Sequence, residues 1–317
     1  MSRSPALIVA GPTASGKSAL ALALARRLNG TVINADSMQV YHELRVLTAR
    51  PTPAEEMMVP HRLYGIRPAV EPSSAAWWRD AALTAMEESH ASGRTPILCG
   101  GTFLYLSTLT QGIAAIPDPG PEARAEARAL LGELGSAGLH ARLTQCDPET
   151  AARLRPSDPQ RVARAWEVLR GTGRGLAGWH SAAVPAPEWR FAALLLDPPR
   201  TDLRAAIAAR FHAMLANGAV EEVRALLALN LDPALPAMRA HGVREIAAAL
   251  RGEITFEEAA RLAILATGQY TKRQATWLRG RSLTSGPSHT IRARWDADAQ
   301  FPERLSTEID DFLRAPG

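Results

Sequence analysis

Short apolar runs alternate with longer amphipathic stretches along this chain. Apolar residues dominate four runs: 6–10, 31–35, 96–99 and 191–196. Runs of this length are typical of strands buried on both faces of a sheet. Helical spacing of apolar residues predicts helices over 17–28, 74–92 and 255–280, and Thr255 with Glu258 gives a capping-box pattern at the start of the third. Strands that alternate with helices predict an α/β fold, in which helices flank a parallel sheet.

The pattern changes between the third and fourth apolar runs. Proline-rich segments at 116–121 and 185–187 bound a stretch with helical spacing and dense charge of both signs, as in a solvated helical insertion. We therefore predict a discontinuous core, 1–117 and 190–317, and an all-helical insertion domain, 118–189. The pattern alone is equally compatible with an insertion that has no function of its own.

Composition and charge narrow the class of protein. No run of about 18 apolar residues suits a membrane helix, and the first residues lack signal-peptide features. We therefore predict a cytoplasmic protein that does not bind membranes. Cys99 and Cys146, the two cysteines, are too few and too far apart for a disulfide framework or a cysteine-based zinc site. The net charge of +4 favours a polyanionic partner.

The strongest motif is a phosphate-binding loop directly after the first apolar run. Its eight residues match G-x-x-x-x-G-K-S/T in full: Gly11, Pro12, Thr13, Ala14, Ser15, Gly16, Lys17 and Ser18. In such a loop, backbone N–H groups and a helix N-terminus hold a diphosphate, Lys17 supplies a point charge, and Ser18 ligates Mg²⁺. The motif leaves open whether the diphosphate belongs to ATP or to another molecule.

Polar residues also follow the second and third runs. Asp36 lies directly after the second run and Thr102 after the third. Because ligands of parallel α/β sheets bind at the carboxyl ends of the strands, both residues are expected to face the phosphate-binding loop across one crevice. Taken alone, either residue is more typical of a helix cap. Asp197 follows the fourth run, but Pro198 and Pro199 come next, which favours a turn or cap residue over a metal ligand.

Six segments together resemble the tRNA dimethylallyltransferase (tRNA isopentenyltransferase) family. They are 11–18, 36–41, 96–102, 158–164, 218–223 and 272–277. The resemblance implies transfer of a dimethylallyl group from dimethylallyl diphosphate to N6 of the adenosine 3′ of the anticodon in tRNA, with release of diphosphate. It further implies that Asp36 is the general base, that Thr102 belongs to the catalytic group, and that Lys17, Mg²⁺ and Arg210 neutralise the leaving diphosphate.

The resemblance also implies how tRNA is bound. The family's tRNA contacts fall on Asp36, Ser37, Met38, Gln39, Thr102, Arg124, Gln160, Arg161, Val162, Ala163, Arg164, Arg239, Arg244, Lys272, Arg273, Thr276, Trp277 and Arg279. The target adenosine is expected to flip out of the anticodon loop, where Gln39 would read its edge. The helical insertion would grip the anticodon stem, and the enzyme would act as a monomer.

The residues themselves give independent support for RNA binding at one place. Between 268 and 281 there are four basic residues and no acid, with Tyr270 and Trp277 interleaved, as in many nucleic-acid-binding helices. Lys272, Thr276 and Arg279 fall on one helical face. A solvated basic helix end is the alternative, since cations also favour helix C-termini.

Two other functions use the same phosphate-binding loop. A small-molecule kinase would bind ATP there, but it has no need of a helical insertion together with a basic aromatic helix. An RNA-remodelling ATPase would carry an acidic site for metal and water after a strand. The sequence meets neither expectation, so the transferase is the preferred hypothesis.

Overall fold

The structure is a computed structural model that describes residues 4–180, 183–280, 282–296, 299 and 301–315. It divides into two compact units. The first, called the core, comprises the described residues of Met1–Gln111 and Pro187–Gly317. The second, called the helical unit, is Gly112–Ala186.

Eight strands are found among the described residues. They are β1 Ser4–Ala10, β2 Gly30–Asn34, β3 His61–Arg62, β4 Thr95–Gly100, β5 Ile113–Ala114, β6 Ala183–Val184, β7 Trp189–Leu196 and β8 Ser288–Ile291. Six of them form a parallel sheet in the core, in the order β3-β2-β4-β1-β7-β8. In the centre, Ile8 of β1 pairs with Leu98 of β4 and Ala193 of β7. The carboxyl ends of β1, β2 and β4 therefore lie at one edge of the sheet.

Helices make up most of the remaining described chain. They are α1 Lys17–Arg27, α2 Pro53–Met58, α3 Ala75–Ala91, α4 Phe103–Thr110, α5 Gly120–Cys146, α6 Pro148–Ala151, α7 Pro159–Thr172, α8 Leu176–His180, α9 Arg200–Ala216, α10 Ala219–Ala228, α11 Val243–Leu250, α12 Phe256–Gly280 and α13 Glu303–Arg314, with a 3₁₀ turn at Ala237–Arg239. Gly135 interrupts α5 with φ 66° and ψ 178°. Among the described residues, no helix combines the length and apolarity that crossing a membrane requires.

The core sheet is buried on both faces, which explains its uninterrupted apolar strands. Successive side chains of a strand point to opposite faces. Ile8 accordingly joins an apolar cluster with residues of α3, α4 and α9 to α12, while Leu7 and Val9 join a second cluster with α1 and α13. Full burial of one such Leu or Val side chain contributes about 1.5–3 kcal/mol.

The α/β fold predicted from the sequence is confirmed, and the four predicted strands correspond to β1, β2, β4 and β7. The pattern missed β3 and β8. Both are edge strands with polar, largely exposed sequences, His61–Arg62 and Ser288–Ile291. Because an edge strand buries little side-chain surface, it needs no apolar run to mark it.

The helical unit has an apolar cluster of its own, built by α5, α6 and α7 around Leu139, Leu143 and Trp166. Besides its helices, the unit contains a short antiparallel ladder in which β6 pairs with β5. The compact unit spans Gly112–Ala186, and the bounds 118–189 of the insertion domain stay a prediction. At its start, Gly112 has φ 85°, and a Cβ there would lie 2.2 Å from the Val184 carbonyl oxygen, so only glycine fits.

Candidate active site

The phosphate-binding loop runs from the end of β1 to the start of α1. Gly16 caps α1 with φ 91° and no side chain. A Cβ at this position would lie 1.9 Å from the Trp295 carbonyl oxygen, so the close contact between the loop and the segment at 295 requires glycine. The first N–H groups of α1 are thereby left free to bind an anion at its N-terminus.

Two cations, one buried and one half-buried, lie beside this loop. Lys17 is 9 % exposed and Arg210, on α9, is half-buried. Burial lowers the pKa of Lys17, while the nearby Asp36 carboxylate acts in the opposite direction and Arg210 lowers it further. Burial also lowers the pKa of Arg210, again opposed by Asp36. Neither cation forms an ion pair with any residue that the structure describes, so both are available to an anionic ligand.

The two cations face a cavity of about 810 Å³ between the loop, the segment at 45–55 and α9, a volume typical of small-molecule sites. Its charged lining is strongly basic, since Glu55 is the one carboxylate among the described lining residues. The cationic lining residues are Lys17, Arg45, Arg50, Arg210 and Arg294. Ala206, Ala213 and Met214 provide an apolar wall. The cavity therefore suits a small anion with an apolar group attached.

Asp36 is held in a tight turn after β2. Its N–H donates to Asn34 Oδ1 at 2.8 Å, and its own Oδ1 accepts from the Met38 N–H at 3.0 Å. Asp36 Oδ2 accepts no hydrogen bond from the described part of the chain. Asp36 is not among the residues that line the basic cavity, but its charge acts on both Lys17 and Arg210. The turn thus presents one carboxylate oxygen beside the two cations.

Thr102 joins the loops that follow β2 and β4. Its hydroxyl oxygen accepts from the Ser37 N–H at 2.9 Å and lies 3.3 Å from Ser37 Oγ, and its N–H donates to the Ala35 carbonyl at 3.1 Å. Burial raises the pKa of Tyr270, on α12, to about 12, and the neighbouring Thr102 side chain acts in the opposite direction. The structure thus brings Asp36, Thr102, Lys17 and Arg210 together at one edge of the sheet.

Two residues that the sequence did not single out, His241 and Gln274, also belong to the site. His241 packs against Tyr270 with ring centroids 5.1 Å apart, and burial lowers the pKa of this histidine. Gln274, only 3 % exposed, accepts from the Thr13 N–H and donates to the Gly101 carbonyl. A sequence signal exists for Gln274, because it is a polar residue on the apolar face of an amphipathic helix.

The other residues predicted to bind tRNA after β2 are less exposed than that role would suggest. Ser37 and Met38 are half-buried, and Gln39 is buried. Gln39 Nε2 donates to the carbonyls of Thr48 and Ala49 at 2.8 and 3.0 Å. Its amide group therefore supports the chain at 48–49, and this geometry offers no support for base reading.

The basic face of α12 is only partly free. Lys272, Arg273 and Thr276 are exposed, whereas Trp277 stacks on Phe103 with centroids 4.8 Å apart. Arg279 donates to both oxygens of Asp197, each at 2.9 Å. Asp197 is therefore an ion-pair partner and not merely the turn or cap residue that the sequence suggested.

Arg239 and Arg244, on neighbouring segments of the core, are exposed, as their predicted role requires. Arg281, the last of the four basic residues between 268 and 281, lies outside the described residues.

In the helical unit, the predicted contacts lie on α5 and α7. Arg124, Arg161 and Arg164 each pair with an acid of the same unit, at 2.6, 3.5 and 3.2 Å. Gln160 is exposed and Ala163 half-buried. Val162 is wholly buried in the apolar cluster of the unit, so its side chain cannot contact RNA.

A magnesium ion has a limited set of protein ligands in this structure. No group of three or more His, Cys, Asp or Glu side chains is arranged to hold a metal within the described residues. Ser18 is exposed on the wall of the basic cavity next to Lys17. One hydroxyl fits a Mg²⁺ ion whose other ligands are diphosphate oxygens and water, the arrangement this ion commonly takes.

Comparison with known families identifies the chain. The family model described as IPP transferase matches residues 39–281. This chain belongs to the IPP transferase family. The match begins after the phosphate-binding loop and Asp36, so it rests on the rest of the core and on the helical unit.

Curated relatives in this family match over nearly the whole chain. The tRNA dimethylallyltransferase of Granulibacter bethesdensis is 61 % identical, with 99 % of each chain covered. The tRNA dimethylallyltransferase of Gluconacetobacter diazotrophicus is 59 % identical, with 98 % of this chain and 94 % of the relative covered.

Solved structures of the family share the fold. The full-length tRNA isopentenylpyrophosphate transferase of Bacillus halodurans is 30 % identical with a TM-score of 0.65, covering 98 % of this chain and 96 % of the other. A eukaryotic dimethylallyltransferase, studied acting on tRNA, is 25 % identical with a TM-score of 0.80, covering 98 % of this chain and 79 % of the other.

Proposed function

We propose that this enzyme transfers a dimethylallyl group from dimethylallyl diphosphate to N6 of the adenosine 3′ of the anticodon in tRNA and releases diphosphate. Membership of the IPP transferase family supports this reaction. The observation that carries it is local. The buried Lys17 and the half-buried Arg210 have no ion-pair partners among the described residues and lie within electrostatic range of the Asp36 carboxylate.

The reaction forms one bond and breaks one. The N6 nitrogen forms a bond to C1 of the dimethylallyl group while the C1–O bond breaks, and the bonding electron pair leaves with diphosphate. Asp36 Oδ2 takes the proton from the amine, which keeps positive charge from building up on nitrogen. General-base catalysis of this kind contributes about 10²- to 10⁴-fold.

The second contribution is charge neutralisation on the leaving diphosphate. The N–H groups at the start of α1, Lys17 and Arg210 surround the place where negative charge develops. Because they are already desolvated, little reorganisation is needed as the bond breaks. Mg²⁺, when bound at Ser18 and the phosphates, would add Lewis-acid stabilisation of the same charge. The apolar wall formed by Ala206, Ala213 and Met214 suits the hydrocarbon group.

The tRNA is held by exposed cations in both units. Lys272, Arg273, Arg239 and Arg244 of the core contact its backbone, and Arg124, Arg161 and Arg164 of the helical unit grip the anticodon stem. Contacts of this kind position the nucleic acid without reading its sequence. The target adenosine flips out to reach Asp36. The enzyme acts as a monomer.

The proposal is tested by mixing enzyme, Mg²⁺, unmodified tRNA and dimethylallyl diphosphate labelled in the isoprenoid. Label is expected to enter RNA in step with diphosphate release and without ATP. A tRNA with guanosine in place of the target adenosine is the matched control, since guanine carries oxygen at that ring position and should stay unlabelled. Label that stays out of adenosine-containing tRNA while ATP is consumed would overturn the proposal.

Neither ATP-dependent alternative gains support from the site. The acid that an ATPase would use after a strand is Asp197, and both of its oxygens are bound by Arg279. It is therefore not free to hold a metal or orient water.

A further inference from the structure

We propose that Gln274 is a positioning residue: it fixes the separation between the loop that binds the diphosphate and the loops that carry Thr102 and Asp36. This role rests on the proposed function, because that function requires the leaving group and the base to be held at one distance. Gln274 touches neither substrate nor base in this proposal and acts through the backbone groups it binds.

The side chain of Gln274 links two loops that are far apart in sequence. Its Oε1 accepts from the Thr13 N–H at 2.9 Å, inside the phosphate-binding loop. Its Nε2 donates to the Gly101 carbonyl at 2.8 Å, in the turn after β4. One amide group thus spans the carboxyl ends of β1 and β4.

The link continues from Gly101 to the base. The next residue, Thr102, accepts from the Ser37 N–H, and Asp36 precedes that residue in the turn after β2. A displacement of Gly101 would therefore move Thr102 and with it the turn that orients the Asp36 carboxylate. No described side chain other than Gln274 hydrogen-bonds both the phosphate-binding loop and the turn at 101.

The glycine at position 101 leaves room for the Gln274 amide. A Cβ on Gly101 would lie 2.4 Å from Gln274 Nε2 and 3.1 Å from the Gly11 carbonyl oxygen, so glycine is what allows the close approach. Gln274 is 3 % exposed, and water cannot easily replace it. The Gln274 amide supplies the acceptor and the donor that these two contacts need at the end of one side chain.

The competing explanation is that Gln274 only stabilises the fold. A stabilising role predicts lower thermal stability with normal transfer in the folded protein. A positioning role predicts slow transfer even when both substrates are bound, since a displacement of about 1 Å costs about 10²-fold in rate.

Two variants of similar volume separate these explanations. Gln274→Met removes both hydrogen bonds. Gln274→Glu, assayed at a pH where the new carboxyl is ionised, keeps the acceptor for Thr13 but loses the donor to Gly101. The matched control is Thr267→Val, which removes a buried side-chain hydrogen bond to the Ala263 carbonyl on the same helix. For each protein, the single-turnover rate at saturating substrates, the dissociation constants of tRNA and dimethylallyl diphosphate, and Tm are measured.

We expect both Gln274 variants to transfer label about 10²-fold more slowly at saturation while each substrate still binds, and Thr267→Val to transfer at the wild-type rate. Wild-type rates at saturation in both Gln274 variants would overturn the positioning role. If Gln274→Met does not fold, Gln274→Glu alone decides. Failure of the proposed function would look different, because the wild-type enzyme itself would then put no label into tRNA.

Discussion

The cations of the two units are held in opposite ways. In the helical unit, Arg153 and Arg170 are exposed and Arg164 is half-buried. Each pairs with a nearby acid, at 2.6 Å for Arg153, 3.2 Å for Arg164 and 3.1 Å for Arg170. In the core, Lys17 is buried and Arg210 is half-buried, and neither has such a partner among the described residues.

This difference matches the proposed roles, RNA binding for the helical unit and catalysis for the core. An exposed ion pair is worth about 0–1 kcal/mol, so an arginine of the helical unit can exchange its carboxylate for an RNA phosphate at little cost. A buried cation without a partner destabilises the free protein. This free-energy cost is offset only when an anion binds. We infer that the unpaired cations of the core are preorganised to stabilise the leaving diphosphate. The arginines of the helical unit can exchange their carboxylate partners for RNA phosphates.

The largest effect is expected at Asp36. Asp36→Asn keeps an oxygen for the Met38 N–H and so preserves the turn, but it removes the base. The transfer rate should fall by about 10²- to 10⁴-fold, with tRNA affinity retained, as measured by single-turnover labelling and filter binding. Glu55→Gln changes the carboxylate that lines the basic cavity and should leave the rate close to wild type. Normal turnover by Asp36→Asn would remove Asp36 as the base.

Next in size is Lys17→Met, which should slow transfer by about 10²- to 10³-fold, the usual cost of losing one preorganised charge-stabilising group. Because the variant also removes a buried, unpartnered cation, the Tm of the ligand-free protein should stay the same or rise. Arg170→Met in the helical unit should change neither quantity appreciably. A clear fall in Tm for Lys17→Met would contradict the idea that this charge is held at a cost.

A smaller effect is expected in the helical unit. Arg161→Ala should weaken tRNA binding and leave the transfer rate at saturating substrates unchanged. The slope of the logarithm of the tRNA association constant against the logarithm of the salt concentration should fall in magnitude by about one. Arg153→Ala, another exposed and paired arginine of the same unit, is the control and should leave the slope unaltered. Equal slopes for Arg161→Ala and wild type would exclude Arg161 from the phosphate contacts.

The last prediction concerns the reactivity of the two cysteine thiols and not the activity of the enzyme. Burial raises the pKa of Cys99 to about 11, and Cys99 is 2 % exposed, whereas Cys146 of the helical unit is exposed. At pH 8, a chromogenic disulfide reagent should therefore label one thiol rapidly and the second only after unfolding. Cys146→Ser should abolish the rapid phase, and two rapid thiols in the native wild type would contradict this burial.

Much of the core could be predicted because its signals are local. A strand buried on both faces must be apolar along its length, so the apolar runs predict β1, β2, β4 and β7. The phosphate-binding loop can be predicted because its motif is contiguous in sequence. The edge strand β8 and the β5–β6 ladder could not be predicted in this way, since their polar or two-residue sequences bury little surface. The roles assigned to the individual site residues stay predictions that the variants above test.

The tRNA-binding predictions show where a local pattern stops being informative. Lys272 and Arg279 look alike on the face of α12, yet Arg279 is bound to Asp197, 82 positions away in the chain. Gln39 and Val162 fall within segments that suggest RNA contact, but one supports a turn and the other fills an apolar cluster. Which side chains are already engaged depends on distant partners that no spacing reveals.

The sequence alone determined the four buried strands of the core and the anion-binding loop, because each follows from neighbouring residues and from periodicity. The residues for a prenyl transfer were implied by the resemblance of six segments to a known family. Only the tertiary structure decided which of these groups act together. Thr13, Gly101 and Gln274 meet because the parallel strands end at one edge of the sheet and α12 packs there. The hydrogen bonds that set catalytic distances join residues far apart in the chain, and folding alone brings them within reach.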